Sequence, residues 1–171
     1  MIRSGTKKMN NHGILAKIFH WGFAVVFIYA LLKQIGDVRE LADTALLNFE
    51  IIFATAFLGL LAVRFCYMHF TMPTAVPDDT SRVMRFLARA GHLAMYVSLA
   101  MIALSGLIIG ALFKVGGAEA IGMQFVVGFH EVTVLASYIT IGLHVLAAFY
   151  HRLKCDGIWS SMVPIWKDTQ K

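Results

Sequence analysis

Four apolar stretches, each long enough to cross a bilayer, constrain this chain more than any other feature. They run from about Ile14 to Ile35, Ala45 to Tyr67, Phe86 to Phe113 and Ile121 to Tyr150. A hydrocarbon core of about 30 Å takes about 20 helical residues, and within it every backbone polar group must be paired inside the segment. The apolar residues are continuous rather than alternating, so the stretches predict helices and not strands. The 171 residues are therefore expected to be all-α, a single integral membrane domain over residues 1–171 folded as a four-helix bundle. Composition agrees: 58% of residues are hydrophobic and 15% charged, against about 25% charged in an ordinary soluble domain. That balance excludes disorder, a nucleic-acid-binding tail and an ordinary soluble enzyme. The expected surroundings are membrane lipid, and nucleic acid is not an expected partner. The first stretch is too long for the apolar region of a signal peptide, and no small-residue cleavage site follows it. Pro73 to Pro77, followed by Asp78 and Asp79, reads as a loop between the second and third spans. Cys66 and Cys155 match no CxxC, CxxCH or zinc spacing, so neither a disulfide framework nor a covalently attached group is expected.

Orientation follows from the basic residues. Arg3, Lys7, Lys8 and Lys17 flank the first span, Arg64, Arg82, Arg85 and Arg89 flank the loop between spans two and three, and Arg152, Lys154, Lys167 and Lys171 follow the fourth. All of these fall on one side. Only Lys33, Arg39 and Lys114 fall on the other. The positive-inside rule then places both termini in the cytoplasm. The net charge of +5 is read as this loop asymmetry beside anionic lipid rather than as a nucleic-acid patch.

Ionisable residues within a span mark function by default. Of the seven histidines, His12 and His69 fall in flanking segments and read as solvated. His20 lies in the first span and His92 in the third, both toward the cytoplasm, while the fourth carries His130 near its periplasmic start and His144 and His151 near its end. From His130 to His144 the helix rises about 21 Å and turns almost four times, so both rings take nearly one face at two depths. Neutral imidazole is the usual axial ligand of low-spin haem b, and two rings on facing helices suffice. His20 and His144, at matching depth on different helices, are the expected ligand pair. The partner of His130 stays open. His92 is open between a ligand, a quinone contact and an interhelical hydrogen bond, and His151 between solvation and proton transfer. Gly22, Gly59, Gly91, Gly106, Gly128 and Gly142 are candidates for making room for a flat group.

These residues resemble the bacterial cytochrome b561 family from Ala16 to about Pro164. The resemblance is carried by Lys17-Ile18-Phe19-His20-Trp21, Ala62-Val63-Arg64-Phe65 and Ala90-Gly91-His92-Leu93. It continues in Phe129-His130-Glu131-Val132, Ile141-Gly142-Leu143-His144 and Tyr150-His151. It implies a multi-pass cytochrome b of the bacterial inner membrane that exchanges electrons with quinone. In that pattern the two fourth-span histidines ligate separate haems, one with a first-span and one with a second-span histidine. Carried over, His20 and His144 hold the cytoplasmic-side iron and His130 the periplasmic-side iron. The second-span position, counted back from Arg64, holds Glu50 instead of histidine. Glu50 is then an unusual ligand, a hydrogen-bond partner of His130 or part of a proton route. The reading adopted is one haem b at His20 and His144, with a second left open.

Three functions follow as expectations. The first is electron transfer between quinone and a periplasmic donor or acceptor, such as a redox protein. The second, implied by the resemblance, is a superoxide oxidase reducing ubiquinone. Against it, Lys33, Arg39 and Lys114 are outnumbered on that side by Asp37, Glu40, Asp43 and Glu119, a poor field for steering an anion. The third is a non-redox scaffold or proton-relay subunit.

Overall fold

The computed structural model describes residues 14–71 and 81–163, which are helical with no strand. Four long helices, α1 (Ile14–Leu32), α2 (Thr44–Thr71), α3 (Arg82–Gly116) and α4 (Met123–Lys154), are followed by a short α5 (Ile158–Met162). All four long helices are apolar enough to cross a membrane. The expected loop at residues 73–79, His12, and the basic residues Arg3, Lys7, Lys8, Lys167 and Lys171 lie outside the described residues.

The ends of these helices are set by local chemistry. α1 stops at Leu32, three residues short of the sequence expectation, because a capping box follows. The Asp37 side chain accepts from Arg39 N at 2.8 Å and Glu40 Oε1 accepts from Asp37 N at 3.0 Å, opening a 3₁₀ turn over Val38–Ala42. Asp43 then accepts from Ala45 N at 2.8 Å, satisfying a free donor at the start of α2. Ser81 caps α3 through Met84 N at 3.3 Å, so that helix begins four residues before the expected Phe86. Gly122, at φ 85°, holds the start of α4 back to Met123, and Cys155, at φ 52°, ends it. At about 1.5 Å per residue, α3 and α4 are each longer than a hydrocarbon core and project beyond it.

The connections α1–α2 and α3–α4 meet at one end, where Arg39 lies 3.9 Å from Glu119. The helices therefore alternate in direction, and the start of α1 and the end of α4 share the opposite end. Phe23, Phe57, Leu61, Leu99 and Ala103 form the packed centre. α3 carries the main contacts, against α4 on one side and α2 on the other. Small buried residues allow this: Ser98, Ala103 and Ser105 on α3 and Ser137 on α4. Gly110 is the tightest case, since a Cβ there would come within 2.9 Å of Ile51. Large apolar side chains such as Phe70, Phe125 and Leu146 stay exposed around the bundle, the arrangement expected of a lipid-facing surface.

Candidate functional site

The helix packing brings three histidines from three helices together at one depth. The His20 and His144 ring centres are 6.3 Å apart and tilted by 57°. His92 meets the same His144 ring edge-on at 5.3 Å. Two imidazole nitrogens bound to one first-row metal, each at about 2 Å, put the ring centres about 6 Å apart. The His20–His144 pair matches that spacing, and the two rings are half-buried on facing helices. The donor set therefore fits a bis-histidine haem. His92 is exposed and its Nδ1–H donates to Ala88 O at 2.7 Å, which leaves Nε2 as the bare nitrogen. Among the described residues, no group of three or more His, Cys, Asp or Glu side chains is arranged to chelate a free metal ion.

Arg64 stands beside this cluster. Its Nη2 donates to His20 Nδ1 at 3.0 Å, its Nη1 to Phe19 O at 3.3 Å and His20 O at 3.4 Å, and its Nε to the Tyr96 hydroxyl at 3.3 Å. The guanidinium also lies 5.3 Å from the centre of the Phe23 ring. In sequence Arg64 serves only as a landmark for the end of the second span. An arginine inside an apolar run is a signal in its own right, and the structure gives it a place at the site.

His130 sits at the other depth. Ser105 Oγ donates to Met101 O at 2.6 Å, and a hydroxyl has one hydrogen, so His130 Nδ1–H is the donor in the 2.9 Å contact with Ser105 Oγ. The ring's Nε2 is thereby left bare, the tautomer a ligand needs. Gly106 lies under this ring, with a Cβ position 3.7 Å from His130 Cε1. Of the six glycines singled out in the sequence, it alone abuts a neighbour, since a Cβ at Gly22, Gly59, Gly91, Gly128 or Gly142 meets nothing within 4 Å. Glu50 and His130 make no hydrogen bond. Glu50 is half-buried in a cavity of about 360 Å³ that it lines with Tyr29, Lys33 and Asp43 near the α1–α2 connection. His151, also half-buried, donates from Nδ1 to Asp156 Oδ2 at 2.7 Å just beyond the end of α4. Cys66 and Cys155 are free thiols.

A multi-pass helical bundle whose facing helices offer a pair of imidazoles at haem-ligand spacing belongs to the class of membrane cytochromes b. The family model for prokaryotic cytochrome b561 matches residues 11–164, and the chain belongs to that family. It is thus a membrane haem b electron-transfer protein. Comparison with curated proteins and with solved structures gives no match.

Proposed function

We propose that the chain exchanges electrons between quinone in a bacterial inner membrane and a redox protein at the periplasmic face, using one haem b held by His20 and His144. The observation that carries this reading is the 6.3 Å spacing of those two rings on facing helices. Haem b, when bound, supplies the one-electron chemistry. The residues supply position and polarity. His144 and His20 would hold the group, and the aromatic and aliphatic centre around Phe23 and Phe57 packs close beside them. At the end assigned to the cytoplasm, His151 holds its Nδ1 proton toward Asp156 and keeps Nε2 able to accept one. That pair suits proton exchange accompanying quinone turnover.

His130 has its tautomer set and, among the described residues, faces no second histidine, which favours a single haem. The periplasmic face favours a protein donor over superoxide. Arg39, one of its three cations, lies 4.0 Å from Asp37 and 3.9 Å from Glu119, so its charge is already countered. Three measurements test the reading. Purified protein should give a reduced-minus-oxidised b-type spectrum with about one haem per chain, and the reduced form should be reoxidised on mixing with a soluble quinone. A chain without a b-type spectrum when haem is supplied during expression overturns it, and a reduced form inert to quinone removes the quinone half. A reporter fused after Lys171 should work in the cytoplasm only, and a periplasm-only signal inverts the two faces.

A further inference from the structure

We propose that Arg64 is a carboxylate-binding site whose ligands are the two propionate carboxylates of the haem held at His20 and His144; this rests on the proposed function. Arg64 sits seven residues before the end of α2, about 10 Å inside that helix. Its guanidinium is always charged and only donates. All four of its hydrogen-bond partners are neutral: two α1 carbonyls, a phenol and an imidazole, at 3.0 to 3.4 Å. Charge-assisted bonds of a guanidinium to a carboxylate are shorter, about 2.7–2.9 Å. Among the described residues no carboxylate pairs with it, whereas Arg39 and Lys154 both have one. A permanent cation in an apolar bundle without an anion is an incomplete site.

The His20 contact points to what completes it. Because a guanidinium cannot accept, Nδ1 of His20 must, and the ring's hydrogen then sits on Nε2. A ring that offers Nε2 to iron carries that hydrogen on Nδ1, where it would confront the N–H of Arg64. Iron and guanidinium therefore compete for the same ring. Loading requires Arg64 to leave Nδ1, and the released planar fork matches carboxylate geometry. Haem brings two carboxylates together with its iron, so the group that displaces Arg64 also supplies its new partner. Arg64 in this role is a positioning residue. It anchors the haem carboxylates at the charged edge of the site.

The test uses the full chain in neutral detergent, loaded with haem or with haem dimethyl ester, whose carboxylates are blocked. Each form is challenged with excess apomyoglobin and loss of the group is followed in the Soret band. The ester should leave about tenfold faster than haem from the wild type. In Arg64→Gln the two should leave at similar rates, and Arg64→Lys should restore part of the difference. A residue that only holds the bundle together would speed both losses alike and keep their ratio. Equal loss rates from the wild type overturn the assignment without any variant, as does a wild-type ratio preserved in Arg64→Gln. A ratio that collapses when anionic phosphatidylglycerol is added identifies lipid phosphate as the occupant and also overturns it. A wild type that takes up no haem overturns the proposed function and this assignment with it, whereas a wild type that holds haem and ester equally overturns this assignment alone.

Discussion

The two histidine layers of this bundle are built differently. Toward the end that holds the start of α1 and the end of α4, rings from three helices crowd around His144, at 6.3 Å from His20 and 5.3 Å from His92. Toward the other end, His130 stands against a serine and a glycine of one neighbouring helix. In the first layer two rings face each other and Arg64 holds Nδ1 of His20. In the second, Nε2 of His130 is bare and, among the described residues, no second imidazole faces it. A haem site needs both conditions, facing imidazoles and the correct tautomer, and each layer meets one of them unaided. The difference shows that a ligand pair is made by two helices agreeing on depth, while its chemistry is set by the shell behind the ring.

The largest expected effect breaks the comparison outright. His144→Ala should abolish the low-spin haem spectrum, since that ring is common to every pairing in the first layer, while His130→Ala should leave it. A spectrum surviving in His144→Ala would move the haem to the second layer. Next, Glu50→His supplies an imidazole at the position from which the family pattern draws the partner of His130. Since Glu50 lines a cavity with Tyr29 and Lys33 and makes no bond to His130, the haem-to-protein ratio should stay at about one, as read by pyridine haemochrome against amino-acid analysis. A ratio that rises toward two, as two-ligand chemistry would give, would show that α2 can turn that position toward His130.

Smaller effects sharpen the account of the second shell. Ser105, only 2% exposed, meets His130 Nδ1 with its hydroxyl. Ser105→Ala should destabilise the protein by about 0.5–1.5 kcal/mol, the usual net loss of one hydrogen bond, since the Ile102 backbone also accepts from the His130 ring, seen as a lowered midpoint of thermal unfolding in detergent. The smallest expected effect is at Gly106, where an added Cβ comes no closer than 3.7 Å to the His130 ring. Gly106→Ala should change stability by less than about 1 kcal/mol, whereas Gly110→Ala, whose Cβ meets Ile51 at 2.9 Å, should cost more. Equal midpoints for the two variants would show that Ile51 yields freely.

The number of crossings, the alternation of the helices and the depths of His20, His92, His130 and His144 were all legible in the amino-acid sequence, whereas His69, expected to flank the second span, lies inside α2. Bilayer thickness fixes the length of an apolar run, and helical rise converts residue number into depth. What fills the space beside each ring was not legible. Helices that are apolar nearly all round carry no stripe to say which face turns inward. Arg64 and His20 are 44 residues apart and Ser105 and His130 are 25 apart, so only the rotation and pairing of helices bring them together. The same holds for Glu50, for which the sequence left a ligand, a hydrogen-bond partner of His130 and a proton route open, and which the packing sets in a cavity with Tyr29 and Lys33. Hydropathy thus determined that four helices cross the membrane and where along them the imidazoles lie. Tertiary packing, through close approaches such as Gly110 against Ile51, decided which side chains meet and which ring nitrogen carries the hydrogen.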